Sequence, residues 1–134
     1  MTREQLAQVW PQLLERGVQW RDGMAGTFAP RGNTWRAVNC RGDTWSYQFS
    51  WSTARRARAA DQRDALPDLE DPATVGCLLA ELRRIGESGA IPAPLGSTGW
   101  YLRDVILGIS VRGATEGEVL VKALCTALKV ERPD

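Results

Sequence analysis

Residues 31–51 read RGNTWRAVNCRGDTWSYQFSW, and this stretch contains a near-repeat: RGNTW at 31–35 returns ten residues later as RGDTW at 41–45. Glycine followed by Asn or Asp suits a two-residue hairpin turn, because glycine supplies the positive φ that the first turn position needs. Two such turns predict a three-stranded antiparallel meander with strands over about 26–31, 34–41 and 44–52.

The third of these strands alternates between aromatic and small polar residues, so all its aromatic side chains share one face of the sheet. A two-residue turn at 42–43 also sets the register of the strand before it. A slip of one residue would reverse that assignment, because side chains alternate with a period of two. This register predicts Val38, Cys40, Trp45, Tyr47, Phe49 and Trp51 on one face, and Phe28, Trp35 and Ala37 on the other.

Upstream of the meander, residues 2–15 predict a helix. Thr2 and Gln5 have the spacing of a capping box, and apolar residues recur at helical intervals. Pro11 lies inside this pattern and predicts a kink or a split, whereas Gly17 predicts the C-terminal stop. The apolar stripe consists of Leu6, Val9, Trp10, Leu13 and Leu14.

Downstream of the meander, residues 54–65 are rich in helix formers but have no apolar stripe, which predicts an exposed helix or a helical linker. Residues 66–70 (LPDLE) are the expected boundary between an N-terminal unit, 1–65, and a C-terminal unit, 66–134. The two units can also pack as a single domain.

The C-terminal unit has the order helix, hairpin, helix. Asp71 caps a helix with Pro72 at its first position, and Thr115 with Glu118 predicts a capping box for the last helix. The expected class is therefore α+β: an N-terminal helix and antiparallel meander joined to a helix–β-hairpin–helix unit, with helices covering one face of a sheet. The strands are expected at 100–102 and 105–112, a Gly/Pro/Ser loop at 87–99, and buried stripes at Val75, Leu78, Leu79, Leu82 and Ile85 and at Leu120, Ala123, Leu124, Ala127 and Leu128.

Composition excludes several classes of chemistry. The chain has 43% hydrophobic and 25% charged residues, which is typical of a globular protein, and it has no histidine, which removes His-based acid–base and nucleophile pairs. Its three cysteines, Cys40, Cys77 and Cys125, are widely spaced and are interpreted as reduced core residues. No carboxylate lies in an apolar context. We therefore expect no enzyme activity, metal or cofactor. No leader is recognised and the longest apolar run, 105–111, is too short for a bilayer, so we expect a soluble cytoplasmic protein without membrane contact.

Charge is unevenly distributed along the chain: residues 1–65 carry +4 and residues 66–134 carry −3. Arginines interleave with aromatic residues between 29 and 59. Guanidinium groups bind phosphate bidentately and aromatic rings stack on nucleobases, so this mixture suits an anionic, nucleotide-like ligand. Core aromatics with solvated turn arginines, or a nucleic-acid surface, are the alternatives. The candidate ligand-binding residues are Arg36, Arg55, Arg56 and Arg58 for the anion, Trp35 or Trp100 for stacking, and Ser97 and Thr98 to close over the ligand.

The runs LPDLEDPATVGCLLAELRRI at 66–85 and VRGATEGEVLVKALCTAL at 111–128 flank a Trp-containing hairpin. This half of the chain resembles small phage and prophage proteins with an αββα, ABA-sandwich-like order. The resemblance implies a phage or prophage origin, and together with the arginine–aromatic mixture it leads us to expect an accessory protein that acts by binding. We also expect a location in the host cytoplasm and a homo-oligomer. A counter-defence protein that sequesters a nucleotide-derived signal is the sharpest version. A module that inhibits a host protein, or a single-stranded nucleic-acid binder, is the alternative.

Overall fold

The computed structural model describes residues 1–28 and 32–132 of the chain. Helices and antiparallel sheets alternate along it, which confirms the α+β class. The helices are α1 (Arg3–Glu15), α2 (Ala59–Asp64), α3 (Pro72–Ile85) and α4 (Glu116–Leu128). The strands are β1 (Ala25–Thr27), β2 (Trp35–Arg41), β3 (Thr44–Gln48), β4 (Arg55–Arg56), β5 (Leu66–Pro67), β6 (Ala93–Pro94), β7 (Trp100–Asp104) and β8 (Ile109–Gly113).

The chain forms two compact units that are not sequential halves. The first consists of Met1–Val18 and Leu78–Asp134, and the second of Gln19–Cys77. This division differs from the expected one after residue 65, because α1 belongs with the C-terminal elements. Within the first unit α1 packs on α4. An amphipathic helix needs some apolar partner, but its own sequence does not say which partner, so local patterns could not assign α1 to its unit.

In the first unit, α4 packs on a three-stranded antiparallel sheet of order β6-β7-β8. Of the expected stripe, Leu120, Ala123 and Leu124 are buried, whereas Ala127 and Leu128 are only partly buried. Val119, Val121 and Cys125 are buried in addition. The Thr115 hydroxyl caps it by accepting the Glu118 N–H at 3.2 Å. The second half of the expected capping box is missing.

The Glu118 carboxylate has other partners. It accepts the Ala114 N–H at 2.6 Å and is paired with the amino group of Met1. Burial alone would raise the pKa of Glu118, but these donors outweigh it, and the pKa lies below its ordinary value. Glu118 therefore joins the chain segment before α4 to the N-terminus of the first unit.

Helix α1 has the expected capping box between Thr2 and Gln5. Pro11 does not split it, because the helix continues from Arg3 to Glu15 and the burial of its apolar stripe offsets one missing backbone bond. The helix stops at Gly17 as predicted. This residue has φ of +104°, and the following Val18 N–H returns to the Leu13 carbonyl at 3.1 Å.

The turn between β7 and β8 is longer than the sequence predicts. Residues 105–108 were expected in a strand, but Asp104 accepts the Leu107 N–H at 3.1 Å and Gly108 adopts φ of +67°, which closes a turn. Val105 and Ile106 are consequently exposed, Ile106 to 94%. The loop 87–99 contributes the short strand β6, which pairs with β7.

In the second unit, five antiparallel strands form a sheet of order β4-β3-β2-β1-β5. The segment expected as a boundary supplies β5, in which Leu66 and Pro67 pair with Thr27 and Gly26. The segment expected as one exposed helix is divided: residues 55–56 form the edge strand β4, and only 59–64 are helical. α2 is exposed as predicted, with no buried residue.

The face assignment of β2 is wrong in the sequence analysis, because a β-bulge shifts the register. The turn at 42–43 does pair Arg41 with Thr44, but β2 then holds one extra residue, and Ala37 lies opposite Tyr47. Asn39 adopts φ of +54° within this bulge. Trp35 and Ala37 therefore share the aromatic face of β3, and Phe28 contacts Trp35 there at a ring distance of 4.8 Å. Val38 lies opposite Ser46 and is therefore on the other face.

The first hairpin also differs from the prediction. Gly26 pairs with Trp35, so the connection is longer than a two-residue turn at Gly32-Asn33 would make it. The end of the expected first strand, 29–31, lies outside the described residues. Gly26 is required at its position because a Cβ atom there would lie 2.6 Å from Cη2 of Trp35. Close approach of an indole ring to the backbone explains a glycine inside a strand.

The bulge gives a first testable prediction. Asn39→Val is expected to lower the free energy of unfolding by about 1–2 kcal/mol, because a β-branched residue is strained at positive φ. Asn39→Gly should be neutral within about 0.5 kcal/mol, since glycine adopts this conformation freely. Urea unfolding of both variants measures the difference. Equal stability of the valine and glycine variants would contradict the bulged register.

Only one cysteine is a core residue, which corrects the prediction for the other two. Cys125 is buried, whereas Cys40 and Cys77 are partly exposed. Both lie near Asp22, whose side chain accepts the Cys40 N–H at 2.8 Å. Burial, followed by the bond to Asp22, raises the pKa of Cys40 to about 12. None of the three forms a disulfide bond.

Candidate ligand-binding site

The candidate site lies at the open edge of the second unit's sheet, where β4 follows β3 in an antiparallel pair. Tyr47 is opposite Arg55, and Ser46 is opposite Arg56. Partners in an antiparallel pair share a face, so Arg55 lies on the aromatic face and Arg56 on the other. The pairing continues one residue further, because the Ala57 N–H donates to the Trp45 carbonyl at 2.9 Å.

The chain turns from β4 directly into α2, and Asp61 fixes this turn. Its Oδ2 accepts the backbone N–H of Arg58 at 2.9 Å. The Gln62 side chain donates to the Ala57 carbonyl at 3.3 Å. These two bonds hold the corner between β4 and α2, which places Arg58 directly after the strand that carries Arg55 and Arg56.

A cleft of about 770 Å³ opens between these elements. Its volume is in the range of small-molecule sites. Among the described residues, none forms an ion pair with the guanidinium groups of Arg55, Arg56 or Arg58. The cleft is therefore strongly cationic. The guanidinium N–H groups that line it are not used in ion pairs among the described residues, and a guanidinium can bind a phosphate through two parallel hydrogen bonds. Its lining residues are Tyr47, Arg55, Arg56, Ala57, Arg58 and Asp61.

A row of aromatic rings leads from Tyr47 to the surface. The Phe49 ring is 5.9 Å from Tyr47, and Trp51 stacks on Phe49 at 5.0 Å with an interplanar angle of 13°. The Trp51 end of this row lies in a turn, in which the Phe49 N–H donates to the Ser52 hydroxyl at 3.2 Å. Trp51 is 68% exposed and thus offers an open indole face beyond the cleft's tyrosine.

Trp35 does not have the accessible ring that the stacking hypothesis requires. It is only 1% exposed, and its ring is 5.1 Å from Trp45 and 5.2 Å from Trp20. The bulge at Asn39 turns it into this aromatic cluster. Trp35 therefore stabilises the sheet behind the site.

Arg36 is engaged in a structural ion pair. Its Nη1 donates to Oδ2 of Asp71 at 2.6 Å and to the Gly23 carbonyl at 3.1 Å. The same Asp71 oxygen accepts the Thr74 N–H at 3.0 Å and so caps α3 as the sequence predicts. The bond from Arg36, followed by those from Thr74, keeps the pKa of Asp71 below its ordinary value.

A pH dependence follows from Asp71. A lowered pKa in the folded state stabilises the protein above the unfolded-state pKa of about 4, and this stabilisation is lost as the pH falls through the folded-state value. Asp71→Asn is expected to cost about 1 kcal/mol at neutral pH, because Arg36 is half-exposed and the pair is screened. Chemical denaturation at pH 7 and pH 3 measures it. A stability gap that does not shrink at pH 3 would contradict this account.

The remaining predicted residues belong to the first unit and are not among those that line the cleft. Ser97 and Thr98 are exposed in the turn of the β6–β7 hairpin, which the Leu95 N–H closes on the Gly99 carbonyl at 2.8 Å. Trp100 is half-buried on β7, opposite Pro94 and Gly113.

Sequence reasoning missed Tyr47, Trp51 and Asp61 as site residues. Tyr47 and Trp51 lie in the alternating aromatic run, where a core assignment is the ordinary interpretation. The one available signal for Tyr47 was its short separation from Arg55 along the sequence. A short turn after the third strand would bring the two together, as the structure does. Asp61 gave no signal, since it lies among exposed helix formers.

Comparisons with protein-family models, with curated proteins and with solved structures find no match to this chain. None of them links it to the phage and prophage proteins that its C-terminal half resembles. In the part of the chain that the structure describes, no helix has the length and apolar character to cross a bilayer. Residues 1–28 and 32–132 also contain no cluster of His, Cys, Asp or Glu side chains that could hold a metal ion.

Proposed function

We propose that this protein binds a phosphorylated, nucleotide-like small molecule in the cleft between β3, β4 and α2. The observation that carries the proposal is that Arg55, Arg56 and Arg58 all line one cleft at the sheet edge, and that none of the three forms an ion pair with a carboxylate among the described residues. A guanidinium fork matches the geometry of phosphate oxygens. Three of them supply enough donors for more than one phosphate group.

The row of aromatic rings from Tyr47 to Trp51 is the surface on which we propose that the base of the ligand stacks. A nucleobase stacks on any accessible π-face, and the Trp51 ring presents one, backed by Phe49. A ligand with phosphates at the arginines and a base near Trp51 uses both features of this edge. Capture without turnover, in the cytoplasm, is the mode of action that we propose, and a phage-type counter-defence role is its most specific form.

Native mass spectrometry of gently purified protein, combined with thermal unfolding against a nucleotide panel, tests the proposal. A retained mass of several hundred daltons is expected, together with a rise in melting temperature for di- and triphosphates. A ligand present at 100 times its Kd adds about 2.7 kcal/mol to stability. An unliganded protein whose melting temperature no nucleotide changes would overturn the proposal. The eluted ligand should also be chemically unaltered after incubation.

A single-stranded nucleic-acid binder is the nearest alternative, since it uses the same groups. A cleft of this size favours one nucleotide unit over a strand. Gel-shift titration of a short single-stranded oligonucleotide separates the two. Binding that is tighter than for the mononucleotide, and that falls steeply with salt, would favour the strand.

A second candidate function is protein–protein interaction, favoured by the exposed turn at Val105, Ile106 and Leu107 in the first unit. Consecutive exposed aliphatic residues are typical of contact surfaces. A second copy of the chain is the occupant we propose, in line with the expected homo-oligomer, because a two-fold contact lets one apolar turn cover its own copy. Sedimentation of the wild type and of Ile106→Asp tests this. A dimeric wild type and a monomeric variant would support the contact, and a monomeric wild type would rule it out.

A further inference from the structure

We infer that Cys40 and Cys77 form a dithiol site in the second unit, which a small-molecule disulfide such as oxidised glutathione converts to an intramolecular Cys40–Cys77 disulfide bond. The inference is independent of the proposed function, because neither cysteine lines the cleft. Both side chains are partly exposed, whereas Cys125 is buried. A dissolved oxidant can therefore reach these two thiols and not the third.

The first step is the position of α3, whose first turns run beside β1 and β2. Asp71, which precedes the helix, accepts a hydrogen bond from Arg36 of β2 at 2.6 Å. Three residues later the Thr74 hydroxyl accepts the Ala25 N–H of β1 at 2.9 Å. Cys77 follows at the same spacing of three residues, so it lies on the side of α3 that faces these strands.

The second step is that Asp22 contacts both cysteines. Its Oδ1 accepts the Cys40 N–H at 2.8 Å, and its carbonyl oxygen accepts the Cys77 thiol at 3.8 Å. The two cysteines thus flank a single residue, although they are far apart in the sequence. After burial and Asp22, the nearby Cys77 thiol is a further cause that raises the pKa of Cys40.

The third step is the freedom of the strand end to complete the approach. A disulfide bond needs the two Cα atoms within about 7 Å of each other. Cys40 lies near the end of β2 beside the bulge, and its neighbours Asn39 and Arg41 are exposed. The buried residues of this strand, Trp35 and Ala37, are at its other end. The end that carries Cys40 can therefore adjust toward α3 without disturbing the core.

The fourth step is the chemistry, which consists of two thiol–disulfide exchanges. The Cys77 thiol gives its proton to solvent and its sulfur attacks oxidised glutathione, whose S–S bond breaks as one glutathione thiolate leaves. The Cys40 thiol then gives its proton to solvent, and its sulfur attacks the Cys77 sulfur and displaces the second glutathione thiolate. Both thiolates take up protons, so two protein thiols are oxidised and one disulfide is reduced. Cys77 reacts first, because the raised pKa of Cys40 keeps that thiol protonated.

The test incubates the folded protein with oxidised glutathione and measures its intact mass without reduction. The wild type is expected to lose the mass of two hydrogen atoms and to retain no glutathione. A non-reduced peptide map should join Cys40 to Cys77. Cys125→Ala is the matched control, since it also removes one thiol and should behave as the wild type does. Cys40→Ser should instead retain one glutathione on Cys77, because the second exchange has no thiol to complete it.

Thermal unfolding tests whether the bond forms in the native arrangement. The oxidised wild type is expected to melt about 5–15 °C above the reduced protein, because the bond closes a long loop of chain. A bond that lowers the melting temperature would overturn the inference. So would a wild type that stays reduced, retains glutathione as Cys40→Ser does, forms the bond only in denaturant, or links Cys125 or a second chain. None of these outcomes affects the proposed nucleotide site.

Discussion

Replacing Arg55 and Arg56 together with alanine is expected to weaken ADP binding by at least about 100-fold. Each charge-assisted hydrogen bond from a guanidinium to a phosphate is worth about 1.5–3 kcal/mol, and the double variant removes at least two of them. Both side chains are exposed on the two-residue edge strand β4. The fold should therefore tolerate the change. Isothermal titration calorimetry of both proteins measures the loss.

The control for this prediction is Arg41→Ala combined with Arg63→Ala. Both arginines are exposed in the second unit, and neither lines the cleft. The control variant has the same net charge as the test variant, so it reports what general electrostatic attraction contributes. We expect a change of less than about threefold, because exposed charges are screened at physiological salt. Equal losses in the two variants would show that ADP is held by diffuse charge and not by this cleft.

Trp35→Ala is expected to lower the free energy of unfolding by about 3–5 kcal/mol, which is a large part of the stability of a domain this size. The Trp35 ring is fully buried and contacts Phe28 as well as Trp20 and Trp45. Its removal leaves a cavity that the surrounding rings cannot fill without moving. Guanidinium denaturation followed by far-ultraviolet circular dichroism gives the value.

Trp51→Ala is the matched control, since it removes the same side chain from an exposed position. Its effect on unfolding is expected to stay within about 0.5 kcal/mol. The contrast between the two tryptophans tests the bulged register directly. If both variants were equally stable, Trp35 would not lie on the buried aromatic face of the sheet.

Features determined by neighbouring residues were predictable from the sequence. The Thr2–Gln5 capping box, the Asp71 cap and the stop at Gly17 are all formed by groups within a few positions of each other. The bulge was not predictable, because the two-residue turn at 42–43 has its preferred backbone geometry whether or not the preceding strand contains a bulge. The choice between registers is made by burial of Trp35 against Trp20 and Trp45, which are distant from it in the sequence.

The candidate site was predicted in part, for a similar reason. Arg55, Arg56 and Arg58 lie close together in the chain, and the structure places all three among the residues that line the cleft at the sheet edge. The predicted stacking residue Trp35 is buried by the bulge, and Arg36 is bound by Asp71. Both outcomes depend on pairing across the sheet. Asp61 enters the site only through the corner between β4 and α2, which was expected as one helix.

The most direct measurement is the change in backbone amide NMR shifts when ADP is titrated into the labelled protein. The account predicts saturable shifts confined to the cleft: at Tyr47, at Arg55 to Arg58, at Asp61, and at Trp51, whose indole N–H should move with them. Residues of α4 in the first unit should stay unchanged. Shifts that do not saturate, or that map to residues outside the second unit, would contradict the assignment of the nucleotide site to this edge of the sheet.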